Sequence, residues 1–185
     1  MLPTPSQTVG PFYGYSLPFP QGGEIAPAGH DASAITVHGR VLDGAGDPVP
    51  DALLEIWQPA PDGSREGASG SLRRDQTTGG YLGRDGVTFT GFGRVATDPD
   101  GRYSFRTLPP GGVPYLSVCV FARGLLHHLF TRIYLPGFDA ESDPLLATLE
   151  PERRSTLIAE PAAERVYRFD VHLQGERETV FLEFR

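Results

Sequence analysis

The chain has 185 residues, of which 39% are hydrophobic and 21% charged, with a formal net charge of -7 and a single cysteine. That length suits one domain with a buried core. The acidic balance disfavours the phosphate backbones of nucleic acids as partners, and one cysteine excludes an internal disulfide.

The opening segment, MLPTPSQTVGPFYG, has neither the basic start nor the apolar run of a signal peptide. No stretch approaches the roughly 20 apolar residues of a membrane span, so no membrane partner is expected. With the lone Cys119, these features predict a reducing, cytoplasmic location. Residues 1–34 mix proline and glycine without periodicity and predict an extended N-terminal arm. Phe12, Tyr13, Tyr15 and Phe19 are costly to leave in water, so the arm is expected to lie on another surface.

Residues 35–43 alternate, with Ile35, Val37 and Val41 on one face. After the turn GAGDP, residues 52–58 (ALLEIWQ) predict a second strand, and the two are expected to form a hairpin. Residues 59–90 form a glycine-rich insertion, a length that in a compact domain is often functional. GFGRVATD and RYSFRTL flank a DPDG turn and predict another hairpin, with Tyr103 and Phe105 on one face. Residues 113–121 and 125–135 predict a third pair across an ARG turn. Residues 143–160 offer two short helices, the second opened by Pro151. Near the C-terminus, Tyr167, Phe169, Val171 and Leu173 alternate with polar neighbours, and ETVFLEF closes the chain. Short strands punctuated by turns predict an all-β fold. The expected architecture is an antiparallel β-sandwich, one domain over 1–185, with the arm and one or two short helices near 143–160.

Candidate chemistry is sparse. His127 and His128 are adjacent, and strand neighbours point to opposite faces, so one is expected inward and one outward. No two histidines share the i, i+2 spacing of one strand face. Cys119 alternates with Tyr115 and Ser117 and reads as a small buried hydrophobe. No nucleophile elbow is present. The pairs Glu150/Glu152 and Asp98/Asp100 stand where caps and turns form. Arg123, in the turn F-A-R-G, is either solvated or a fixed fork that faces a carboxylate or a developing anion. Spacing alone leaves both open.

Three motifs carry a resemblance. Pro50–Gln58 (PDALLEIWQ), Gly93–Gly111 (GRVATDPDGRYSFRTLPPG) and Thr131–Tyr134 (TRIY) resemble the intradiol ring-cleaving dioxygenases. Pro5–Pro11 (PSQTVGP), Val120–Gly124 (VFARG) and Tyr167–Phe181 resemble the α subunits of two-chain members of that family. The resemblance implies a non-haem Fe(III) centre built from two tyrosines and two histidines, the histidines spaced i, i+2 on one strand. The matching positions here are Tyr115 and Ser117, which would be vacant ligand positions. The first ligand tyrosine would fall near Arg65. The loop that bears the second is shortened to Pro110–Pro114. The resemblance therefore implies a chain that binds no metal and is inactive alone. Its partner would be an iron-bearing β subunit, with Fe(III) in that chain, in a large αβ hetero-oligomer. The reaction would be O2-dependent cleavage of a small dihydroxylated aromatic acid. Thr8, Gly10, Pro11 and Arg123, with Tyr13 beside them, would bind substrate by lining the partner's pocket. Two alternatives stay open: a stand-alone dioxygenase drawing on Tyr115, His127 or His128, and a non-enzymatic sandwich that holds an aromatic acid or a protein.

Overall fold

The computed structural model describes residues 4–66 and 72–184. Two sheets pack face to face. The first is built around β1 (Ile35–Leu42), flanked on one side by β6 (Arg102–Thr107) and on the other by β10 (Val166–Arg168) and β11 (Val171–His172) in succession. β9 (Glu160–Ala163) extends this sheet through β10. The second is antiparallel, in the order β5 (Phe92–Ala96), β2 (Leu53–Trp57), β7 (Tyr115–Phe121) and β8 (Leu129–Tyr134). A separate two-stranded ribbon, β3 (Leu72–Arg74) with β4 (Tyr81–Arg84), lies within the glycine-rich insertion.

The alternation read from the sequence decides which faces meet. Val37 and Val41 of β1, with Tyr103 and Phe105 of β6, oppose Leu54 and Ile56 of β2 and Leu116, Val118 and Val120 of β7 in one core. Burying both apolar faces at once needs two layers about 10 Å apart.

That requirement overturns two of the expected hairpins. β1 and β2 lie in different sheets, as do β5 and β6. The chain keeps only a local antiparallel bridge, Leu42 to Pro48, before it crosses the core. Around DPDG, Asp98 N donates to Arg102 O at 2.9 Å, so the turn forms while its flanks diverge. The pair β7–β8 is a hairpin in register from Tyr115–Tyr134 to Val120–Leu129. The first sheet is mixed rather than purely antiparallel, because β10 and β11 run parallel to β1. The break between them falls at Phe169, whose carbonyl sits where a side chain on Gly39 would go: a Cβ there would come within 1.8 Å of it. The Tyr103 hydroxyl donates to the same carbonyl at 2.6 Å.

The helical segments are short, with single 3₁₀ turns at Ala140–Ser142 and Leu146–Thr148. One α-helical turn, Pro151–Ser155, opens on its proline as expected. Leu146 and Leu157 bury Tyr134 in a second cluster on the outer face of β8, with Tyr115 at its edge.

The N-terminal arm is docked, and it contains one helical turn, α1 (Tyr13–Ser16). Phe19, Ile25 and Ala26 are buried. Arg94 donates to the Leu17 carbonyl at 2.8 Å and pairs with Glu55 at 2.6 Å. The buried Arg84 has no carboxylate partner among the described residues; it donates to Phe92 O at 2.7 Å, Thr90 Oγ1 at 2.9 Å and Gly22 O at 3.1 Å. Burial lowers its pKa from the ordinary arginine value; two carbonyls and one hydroxyl accept from its terminal nitrogens, while its buried Nε has no partner among the described residues. Arg84→Met should therefore remove three charge-assisted hydrogen bonds that tie the arm and β5 together and destabilise the chain by about 2–3 kcal/mol. Denaturant titration would measure this, and limited proteolysis should then cut the arm near residues 17–22 sooner than in wild type.

Candidate functional site

The residues expected to face a partner's substrate converge at one edge of the sandwich. Asp51 stands in the turn before β2 and forms an ion pair with Arg123 through the guanidinium Nε. The Tyr13 hydroxyl donates to the backbone carbonyl of the same Asp51. Gly124 N donates to Thr8 Oγ1 at 2.9 Å, which fixes the arm against the F-A-R-G turn. Tyr13 N reaches Gly10 O at 3.2 Å and so folds Gly10 and Pro11 over the start of α1. Thr8, Gly10, Pro11, Tyr13 and Arg123 thus form one surface cluster with Asp51 near its middle. Burial, then the charge of Asp51, raises the Tyr13 phenol above its ordinary pKa, so it is a neutral donor at physiological pH.

Asp51 was not singled out from the sequence. A carboxylate in a pre-strand turn normally caps its own backbone, and nothing local shows that it faces a turn 72 residues away. Between the two sequence-level readings of Arg123 the structure gives a composite: the side chain is largely exposed, but its Nε is held by a carboxylate, and its terminal nitrogens make no hydrogen bond among the described residues. Phe12 and Tyr15, beside this cluster, are 74% and 86% exposed.

The two positions that the resemblance matches to iron ligands lie elsewhere, on the outer face of the second sheet. Tyr115 and Ser117 point outward from β7, while Leu116 and Val118 point into the core. Ser117 is in register with Trp57 of β2 and with Arg132 of β8. The Arg132 guanidinium carbon sits 4.0 Å from the centroid of the Tyr115 ring, and Arg132 donates to the Tyr134 hydroxyl at 2.9 Å. That hydroxyl donates in turn to Asp143 at 2.9 Å. Burial, against the opposing pull of Arg132, pushes the Tyr134 phenol up to about 12. A ferric ion needs several anionic or imidazole donors. This locus offers two phenols, one aliphatic hydroxyl and the Asp143 carboxylate, which already accepts from Tyr134, beside the fixed positive charge of Arg132. The donors present do not fit iron.

The histidines correct one expectation. His127 and His128 precede β8 in a turn and are both exposed, so strand alternation does not divide them. His128 packs edge-on against Phe130 with ring centroids 4.7 Å apart. Cys119 is buried as expected. Burial, then the charge of Glu55, pushes its thiol up to about 12.

A family model described as "Dioxygenase" matches residues 9–120. The chain is 39% identical to the protocatechuate 3,4-dioxygenase alpha chain of Burkholderia cepacia, with 97% of this chain and 96% of that one aligned. It is 32% identical to the protocatechuate 3,4-dioxygenase beta chain of the same organism, over 81% of this chain and 62% of that one. Among solved structures, the dioxygenase domain of a carbohydrate-binding fusion from Streptomyces sp. SirexAA-E superposes with a TM-score of 0.59 at 25% identity, covering 94% of this chain and 99% of that one.

The buried thiol gives a direct check on this face of the sheet. At pH 8 the native chain should react with an aromatic disulfide reagent many times more slowly than the denatured chain, because almost no Cys119 thiolate is present. One equivalent should be released once denaturant is added. Rapid native reaction would show that Cys119 is open to solvent.

Proposed function

The chain belongs to the intradiol dioxygenase family, and from that premise we propose that it is the iron-free α subunit of a protocatechuate 3,4-dioxygenase. In this reading an iron-bearing β subunit of the same fold carries the metal, in an αβ hetero-oligomer of the cytoplasm. The substrate is 3,4-dihydroxybenzoate, cleaved with O2 between its two hydroxyl-bearing carbons in aromatic catabolism. The α subunit supplies walls and charge to the partner's pocket.

One observation carries the proposal: Thr8, Gly10, Pro11, Tyr13 and Arg123, separated by more than a hundred residues, meet around Asp51 on an open surface. Two features of that surface support a covering partner. The Phe12 and Tyr15 rings stand in solvent, where large aromatic groups are costly. A Cβ on Gly10 would meet nothing within 4 Å, and its backbone conformation does not require glycine. The backbone at Gly10 is thus open to close approach by a ring from outside this chain. The guanidinium of Arg123, held through Nε, keeps its terminal nitrogens free to bind the carboxylate of the substrate or product. In a pocket that the two chains close against water, such a charge acts more strongly than at an open surface. Asp51 is the positioning residue: it fixes the fork, and it neutralises part of the charge until an anion arrives.

The stand-alone reading has no support from the geometry. Tyr115 is stacked under Arg132, and both histidines lie in the exposed turn before β8, off the strand that carries Tyr115.

Co-expression with a β chain should give a complex with iron and ring-cleaving activity, while this chain alone should hold neither; an active, iron-loaded single chain would overturn the proposal. In the complex, Arg123→Ala should lower kcat/KM by about 10- to 100-fold with unchanged iron content. Asp51→Asn should produce a smaller loss in the same direction, because the fork persists but is no longer held. If either substitution reduces assembly and iron in step with activity, the role is structural.

A further inference from the structure

Across the outer face of the second sheet runs a row of residues in register: Phe92, Trp57, Ser117 and Arg132, one from each strand. Neighbouring strands lie about 4.8 Å apart. The small Ser117 therefore leaves a notch about two strand spacings wide between the indole of Trp57 and the guanidinium of Arg132. The next row continues it, with Cys119 as floor and Phe130 as the far wall. Phe184, from the C-terminal segment bridged to Phe130 through Leu182, closes one side; the two phenyl rings meet edge to face with centroids 5.1 Å apart. A cavity of about 570 Å³ opens over this floor, within the range of small-molecule sites.

Its chemistry is lopsided. The walls are aromatic. The carboxylate that lines the cavity, Glu55, is committed to Arg94 through two hydrogen bonds at 2.9 and 2.6 Å. Arg132 spends one donor on Tyr134 and forms no ion pair with a carboxylate among the described residues, unlike Arg94 and Arg123. Stacking on Tyr115 and the bond to Tyr134 fix the plane of the guanidinium. A planar fork held in place with donors to spare is the arrangement that accepts a carboxylate in two-point contact. Trp57, 53% exposed and packed against Phe92 at 4.3 Å between centroids, offers a ring face held in place for stacking.

We infer that this notch is a binding site for a monocyclic aromatic carboxylate, with its ring over Ser117 against Trp57 and its carboxylate on Arg132. The site is distinct from the cluster around Asp51 and uses none of its residues. It holds a ligand and performs no chemistry on it.

The chain contains one tryptophan, and that tryptophan is the wall of the site. Its fluorescence therefore reports occupancy without a label. The full chain would be titrated with benzoate, with benzamide as a neutral ring of the same shape, and with acetate as the charge without the ring. Saturable quenching by benzoate is expected, with benzamide and acetate each at least about 10-fold weaker, the usual scale for a charge-assisted contact. Arg132→Gln should bring benzoate down to the level of benzamide and leave benzamide unchanged. Should that variant not fold, Ser117→Leu fills the notch from a surface position and should abolish quenching by benzoate. Equal responses to benzoate and benzamide, or no saturable response to benzoate, overturn the inference. Neither a partner chain nor turnover enters the measurement, so its outcome is independent of the subunit assignment.

Discussion

Two guanidinium groups hold the arm to the sandwich, and the surface cluster depends on them. Arg94 reaches the carbonyl of Leu17, and Arg84 reaches that of Gly22. Both lie in regions where water is largely excluded, so each charge-assisted bond is strong. Between these anchors Phe19 sinks among aromatic neighbours, 6.4 Å from Phe92 and 5.7 Å from Tyr81 between centroids. Beyond Leu17 the chain has nowhere to wander: one helical turn returns Tyr13 to Asp51, and Thr8 reaches the backbone of Gly124. A polar, proline-rich segment that would be disordered on composition alone is thereby brought to a defined place.

The two outward surfaces of the molecule have diverged in kind. At the Asp51 edge, polar groups and backbone are presented in the open, where a second protein can complete them. On the outer face of β2, β7 and β8, the positions that motif likeness matches to metal ligands belong to a stacked polar and aromatic assembly. Arg132 lies over Tyr115 and donates to Tyr134, which donates in turn to Asp143. A metal cation brought to this network would meet the Arg132 charge at close range.

How much of this was legible in the sequence follows from the range of each interaction. Strand faces were legible, because the alternation of Val37 with Val41, or Leu54 with Ile56, is local and has one physical cause. The expected hairpins at GAGDP and DPDG failed because a turn signal reports a reversal of the chain and not which sheet receives the next strand. That choice was made by a core that buries both apolar faces together. The parallel neighbours of β1 were invisible for the same reason, since parallel pairing has no local turn to announce it. Of the site, the residues came from motif likeness. Their convergence came from Asp51, whose partner is distant in sequence. Arg132 stood inside the quoted run Thr131–Tyr134, yet its role emerges only from the register that sets it beside Ser117 and over Tyr115. The histidines misled because residues 127 and 128 were read as strand when they belong to the turn.

The parallel ladder between β1 and the pair β10–β11 also bears on how the protein is made. β1 lies near the start of the chain, and its neighbours on one side comprise residues 166–172. During synthesis the first sheet stays open along that side of β1 until those late residues leave the ribosome. An apolar strand with an unpaired side is the kind of surface that chaperones cover and that stray strands seek. Emergence of residues 166–172, rather than of the segment that holds β1, is then the event that lets this sheet close.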